Sequence, residues 1–385
     1  MELLIQKFCL EHENWEEILK AKPYRLKIRR DSGYVLFTYT LGETDFNIPL
    51  CKECRGVILD ETNKFKPMCV PFYKFFNFGE PEAARIDWKT AMVEEKIDGS
   101  LIKLWYDREG KLVFSTNGNI YADKIICENM YTKDDITFGQ LAADAFMRSA
   151  RDLTIDMIEK NATHMFELTS RYNKIIVDYG GTPTLTYLGS RDLETGKEYN
   201  SLIFTNYFKT PKLYRLKSLE EVKEACARMN GFSEEGFVVV DKDYNRIKVK
   251  SPEYVKIAHT LTKVNSFKGI IKVLKDDDID EILSYCTFEE SQGIEKVRYN
   301  LTLMSYDIGD IYYETKWQAE DDRKEFARIV NEKYRWCAPV LFRLYGKNEI
   351  VASHGTVYDI LLNSLTYNQL NSVYDYYIKN ELGGY

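Results

Sequence analysis

The feature that most narrows what this chain can fold into is a change of pattern at Pro252. From about Tyr24 to Lys250, short runs of alternating or clustered β-branched and aromatic residues follow one another between turn signals: YRLKIRR, YVLFTYT, RGVILD, LIKLWYD, KLVFST, KIIVDYG, GFVVVD and RIKVK. Beyond it the segments lengthen and space their apolar residues for helices, as in EYVKIAHTLTKVNSFKGIIKVLK, TKWQAEDDRKEFARIVNEKY and VYDILLNSLTYNQLNSVYDYYIKN. The two patterns bury different faces, so the chain reads as α+β: an antiparallel, strand-rich domain over residues 1–255 and an all-α domain over residues 256–385. One helix is expected inside the first domain, from about Thr137 to Lys160. With 385 residues, 44% of them hydrophobic, each part has apolar material for its own core.

Composition removes several functions. No apolar run approaches the ~18 residues of a membrane span, and the opening MELLIQKFCLEHENW carries acids where a secretory leader carries a basic region. A soluble, cytoplasmic protein with no membrane partner is expected. The eight cysteines are scattered, as reduced thiols would be. Only Cys51 and Cys54 form a CxxC, without the second pair a zinc ribbon needs, and the four histidines lie far apart. A net charge of -7 argues against indiscriminate coating of DNA but leaves room for a local basic groove. The 28 tyrosines and 20 phenylalanines suit either core or base-stacking platforms, and their number alone does not choose.

Chemistry gathers around VEEKIDGSLIKLWY. Lys96 ends an apolar and acidic strand-like run and is followed at once by an Asp98-Gly99-Ser100 turn. An amine attacks phosphorus only when neutral, and an unperturbed lysine, with a pKa of ~10.4, is neutral about once in a thousand near pH 7.4. A nucleophilic lysine therefore needs further cations or burial beside it. RIKVK supplies them: Lys248 and Lys250 stand two apart, so both amines fall on one strand face while Ile247 and Val249 face away. Two cations side by side suit a polyphosphate, although an isolated KVK is otherwise a solvated strand face and K-x-D-G a common surface turn. In YRLKIRR, Arg25, Lys27 and Arg29 share a face that would either follow a phosphate backbone or simply meet water.

The order of several such features is specific. K-x-D-G at Lys96 to Gly99, FEL at Phe166 to Leu168, EEGFVVV at Glu234 to Val240 and IKVKS at Ile247 to Ser251 follow in the order of the motifs of covalent nucleotidyltransferases, the ligases and capping enzymes. FTY before ECRGVILD at Glu53 to Asp60, KFFN at Lys74 to Asn77, SPEYV after the last lysine pair and a helical tail narrow this further. From about Tyr34 to about His259 the chain resembles the phage-type RNA ligase 1 family.

The resemblance implies an antiparallel-sheet nucleotidyltransferase (ATP-grasp-like ligase) domain followed by a helical domain that governs RNA choice. It implies an ATP-dependent RNA ligase in which Lys96 takes AMP from ATP as a phosphoamide, passes it to the 5'-phosphate of an RNA end, and a 3'-hydroxyl then expels AMP. By the same likeness Arg55 and Lys74 contact the triphosphate, Tyr39 sits at the nucleotide pocket, Glu167 holds the ribose hydroxyls, and Lys248 and Lys250 hold the α-phosphate. Glu235 is expected to bind Mg²⁺ (or Mn²⁺) or the attacking group, Asp98 to support the lysine turn, and Tyr254 to serve the later steps. A metal-linked aspartate of the family's helical domain has its nearest counterpart in Asp280, within DDDIDE. There Asp276, Asp277, Asp278 and Glu281 compete for the register, and an acidic helix start is an equal explanation. One departure stands out: in FSTNGNI, Thr116 and Asn117 occupy the place where the family commonly carries a lysine. The likeness further implies RNA repair by a monomer, with broken tRNA loops as substrate, an end-healing kinase/phosphatase as partner, and an intracellular bacterial or phage origin.

A DNA ligase or capping enzyme shares these motifs but usually continues after IKVKS into a five-stranded barrel, and no run of short alternating strands follows here. A non-catalytic RNA-binding relative is opposed by the joint presence of Lys96, Glu167, Glu235, Lys248 and Lys250. A protein kinase would need a glycine-rich loop, HRD and DFG, all absent; the P-loop signature is absent too, so ATP has to be held by a lysine pocket.

Overall fold

The computed structural model describes the chain except residues 129–134, 150–157, 265, 277–278, 284–285, 287, 348–352 and 381–385. It divides into two units, Met1–Val255 and Lys256–Tyr385.

The first unit opens with a four-stranded antiparallel meander, Leu26–Asp31, Tyr34–Tyr39, Arg55–Asp60 and Lys66–Cys69. Alternation along its central strands feeds two cores. Val35, Phe37, Val57 and Leu59 pack with the short helices Leu4–Glu11 and Trp15–Lys20, while Leu36 and Ile58 point the other way, to Trp105. Arg25 precedes its strand with φ of 48° and pairs with Glu43 at 3.7 Å, so of the three expected cations only Lys27 and Arg29 share the exposed edge.

Two five-stranded sheets build the rest. One runs, in spatial order, Glu198–Asn200, Thr184–Asp192, Ala162–Thr169, Ser100–Tyr106, Leu112–Thr116. The other runs Leu213–Tyr214, Met92–Glu95, Gly236–Val240, Arg246–Lys250, Phe76–Asn77. Their pairings are antiparallel except the last, where Ile247 and Lys248 pair in parallel with Phe76 and Asn77. In the first sheet Ile102, Leu104, Phe166 and Leu168 meet the helix Phe138–Ser149, which leaves Leu101, Lys103 and Glu167 on the other face. In the second, Val93, Phe237, Val239, Ile247 and Val249 pack with Val222 and Cys226 of the helix Leu219–Ala227, which leaves Lys248 and Lys250 on the opposite face.

Two expectations change here. The helix drawn from Thr137 to Lys160 is helical over Phe138–Ser149; residues 150–157 lie outside the described part, and 158–160 are not helical. KIIVDYG, with the composition of a strand, is none. The amides of Ile176 and Val177 donate to Asp98 Oδ2 at 2.9 and 3.0 Å, so a buried carboxylate satisfies them in place of a neighbouring strand.

The second unit is helical, with no strand among its described residues. Its 31-residue helix Phe288–Gln318 gives Leu301, Met304, Ile308 and Tyr312 to a core shared with the helices Arg323–Lys333, Ala338–Gly346 and Tyr367–Lys379. The expected long helices are interrupted. Glu320 and Asp321 take positive φ (47° and 62°) before Asp322 caps the next helix, and a Thr366–Gln369 capping box starts Tyr367–Lys379 afresh. No helix among the described residues is long and apolar enough to cross a membrane.

Candidate active site

Four residues carry the chain from one five-stranded sheet to the other: Met92–Glu95 ends, Lys96-Ile97-Asp98-Gly99 turns, and Ser100–Tyr106 begins. The Lys96 amide donates to Gly236 O at 2.9 Å. Glycine is required at 99, where a Cβ would lie 2.5 Å from Leu168 O and 3.1 Å from Glu167 Cγ. Asp98, 3% exposed, locks the turn. Beyond the two amides on Oδ2, its Oδ1 accepts the Tyr254 hydroxyl at 2.7 Å, and its own amide donates to the Tyr179 hydroxyl at 3.0 Å. Burial first, then the acids Asp98 and Glu235, pushes both tyrosine hydroxyls well above their ordinary range.

Charge converges on this turn. Glu235, 2% exposed, accepts Lys96 Nζ on Oε2 at 2.6 Å and Lys250 Nζ on Oε1 at 2.9 Å. Lys248 Nζ lies 4.8 Å from the Phe75 ring centroid, and burial, followed by the neighbouring Lys74 and Arg55, brings its pKa down to about 7. Glu167 faces the same space from a strand paired at Leu101; burial pushes its carboxyl up to about 7 against the pull of Lys96 and Arg55. The Arg55 guanidinium stacks 5.1 Å from the Phe75 centroid and donates to Phe72 O at 3.4 Å, and burial lowers its pKa.

Arg55, Lys96, Glu167 and Lys248 line one cleft of ≈ 220 Å³, with Phe72, Leu188, Pro211 and Val238 as apolar wall. Glu235 and Lys250 adjoin it through Lys96. Lys74 instead lines a neighbouring cleft of ≈ 380 Å³ with Lys52, and Phe75 and Arg246 line both. Tyr39 reaches both sides, its ring centroid 5.1 Å from Lys74 Nζ and its hydroxyl facing the Arg55 guanidinium. Burial, then Arg55, lowers the Lys74 pKa. Asp280 lies in the helix Ile279–Leu283 of the second unit, and its side chain falls outside the described part. Cys51 and Cys54 sit in the N-terminal core, where burial raises Cys51 to about 11 and Cys54 well above the ordinary thiol value.

Several neighbours of the site escaped the sequence reading. Arg246 carried a signal, standing two before Lys248 on the same strand face; it stacks 3.9 Å from the Phe72 centroid and pairs with Glu198 at 2.5 Å. Tyr179 carried none, being inside a run with strand composition. Asn117, at the place of the missing lysine, lines the cleft with its Oδ1 buried and unpaired. An apolar wall, a carboxylate and several convergent cations give the slot the chemistry that a phosphorylated ligand needs.

The RNA ligase family model matches residues 53–254. A protein of Autographa californica nuclear polyhedrosis virus described as a bifunctional polynucleotide kinase/RNA ligase is 30% identical over 276 residues, 68% of this chain. RNA ligase 1 of Bacteriophage TS2126 is 35% identical over 103 residues, 24% of this chain. The matched parts span 39% and 26% of the length of these two relatives. The solved structure of an archaeal ATP-dependent RNA ligase is similar with a TM-score of 0.44 and 16% identity, over 73% of this chain and 77% of that one. The family match covers more than half of the chain and contains Arg55, Lys96, Glu167, Glu235, Lys248 and Tyr254: the chain belongs to the phage-type RNA ligase 1 family.

Proposed function

We propose that this chain is an ATP-dependent RNA ligase that works through Lys96. The observation that carries the reading is the convergence of Arg55, Glu167, Lys248 and the Glu235-held Lys96 amine on one cleft. ATP enters with its base on the apolar wall, its ribose hydroxyls donating to Glu167 and its α-phosphate between Lys96 and Lys248. The Lys96 ammonium, held by Glu235, first gives a proton to water; the free amine attacks the α-phosphorus, the bond to the bridging oxygen breaks, pyrophosphate leaves, and a second proton passes to water as the phosphoamide forms. An oxygen of the RNA 5'-phosphate then takes AMP from Lys96. A bare 5'-phosphate would have to expel oxide; the adenylate expels AMP when a 3'-hydroxyl attacks. Charge on the non-bridging oxygens is met throughout by fixed cations.

A divalent ion brought by the triphosphate would need only one or two protein carboxylates; Glu235 would hold it, Glu167 being taken by the ribose hydroxyls and Asp98 by three donors. Mg²⁺ or Mn²⁺ held there would neutralise phosphate charge. We assign the helical unit to RNA choice, with broken tRNA loops as substrate. The kinase named in the viral relative supports an end-healing partner for a cytoplasmic monomer.

Incubation with α-labelled ATP and Mg²⁺ should give a protein band that stays labelled through denaturing electrophoresis and loses its label in acid; an unlabelled wild type sinks the reading. Offered 5'-phosphorylated strands, the enzyme should join RNA. Preference for nicked duplex DNA, or guanylate transfer to a diphosphate end, would move it to the DNA ligase or capping class.

The two groups with a pKa of about 7 set an expected pH response. Ribose hydroxyls need Glu167 ionised, so affinity rises as pH climbs through that value. Phosphates favour protonated Lys248, so affinity falls as pH climbs further. ATP binding measured by calorimetry should be bell-shaped around neutrality, each limb falling by about tenfold per pH unit. Glu167→Gln should flatten the acid limb and Lys248→Arg the alkaline one; limbs unmoved by these changes would assign them to other groups.

A further inference from the structure

Behind the cleft lies a buried amine that none of these steps uses. Lys103, on the strand Ser100–Tyr106, is 0% exposed. A lysine ordinarily carries its ammonium to water, and burial without a carboxylate partner is costly. Among the described residues Lys103 makes no ion pair, and its Nζ donates to the carbonyl of Gly56. Ser115 and Met165 stand opposite it on the flanking strands, and Cys69 and Arg55 are the titratable or charged groups that face it. Burial brings the amine down to about 8, so it remains largely charged at neutral pH.

Gly56 is pressed onto this amine. Its φ is +83°, and a Cβ there would lie 2.9 Å from Lys103 Nζ and 2.8 Å from Asn117 Cα. The residue before it, Arg55, lines the cleft, as does Asn117. Lys103 pairs with Ser115, two residues before Asn117.

We propose that Lys103 is a positioning residue for the nucleotide: its clamp on Gly56 fixes the backbone from which Arg55 reaches into the cleft. The inference rests on the adenylyl-transfer reading of that cleft. It is tested by a cycle of wild type, Lys103→Met, Arg55→Ala and the double variant in the lysyl-AMP assay. Lys103→Met should raise the KM for ATP about tenfold while the maximal rate changes less than about threefold. The double variant should be no worse than Arg55→Ala, because Lys103 acts through Arg55. Lys103→Gln, which keeps an N–H donor, should fall between wild type and the methionine variant, and it carries the cycle if Lys103→Met gives no folded protein by circular dichroism. A KM equal to wild type, or losses that multiply in the double variant, overturns the inference while leaving label on Lys96 intact. Absence of label on the wild type removes the underlying reading itself.

Discussion

Lys96→Ala should take up no acid-labile label from α-labelled ATP, a loss on the order of 10⁴-fold or more, because the atom that forms the phosphoamide is gone. Binding of ATP should weaken far less, since Arg55, Glu167 and Lys248 still line the cleft. The fold should hold too: Glu235 keeps Lys250 at 2.9 Å when Lys96 is lost, so the buried carboxylate stays paired. The variant should also seal RNA supplied already adenylated at its 5' end, because the last step does not use the amine. Labelling equal to wild type would place the nucleophile elsewhere. Lys248 is then the alternative, its pKa of about 7 leaving a large neutral fraction at physiological pH. Labelling of Lys248→Ala therefore separates the two: reduced but present if Lys96 is the nucleophile, absent if it is not.

Asp98→Ala should damage stability and chemistry together. The carboxylate satisfies the amides of Ile176 and Val177 and the Tyr254 hydroxyl, and an orphaned buried donor costs about 1–3 kcal/mol. Three of them give a loss of roughly 3–9 kcal/mol, read as a lower urea midpoint for the first unit. With the turn loosened, Lys96 loses its alignment and labelling should slow by on the order of 10²-fold. Asp98→Asn keeps the volume and one acceptor oxygen and should fall between. Tyr254→Phe removes a single donor and should cost about 1 kcal/mol. A midpoint unchanged in Asp98→Ala would mean that the 174–179 segment is held by something other than this carboxylate.

Period-2 alternation made RIKVK readable without coordinates: Ile247 and Val249 are core residues, as alternation demands, and the lysines take the other face. K-x-D-G and the Glu234-Glu235-Gly236 run were legible for a related reason, since each places its functional group relative to its own chain neighbours. What resisted reading were relations across distance. The amides of KIIVDYG serve a carboxylate 78 and 79 residues earlier, and Lys103 clamps a carbonyl 47 residues away. Lys74 and Arg55 have equal claims on chemical type. Which side of Phe75 each takes depends on how Phe76–Asn77, a two-residue strand without a sequence signature of its own, pairs with its neighbour. In the second unit, Glu320 and Asp321 sit in a run rich in good helix formers, so the break there was invisible to propensity.

That short parallel pairing also dictates when the site can come into being. The sheet centred on Ala162–Thr169 has all its strands once Asn200 has left the ribosome, whereas the lysine sheet waits for Arg246–Lys250 to dock against Phe76–Asn77. A nascent chain can thus complete one sheet long before it owns the cleft that Lys248 lines, whose long-range closure comes last. On the adenylyl-transfer reading proposed above, labelling by ATP would report that this last pairing has formed.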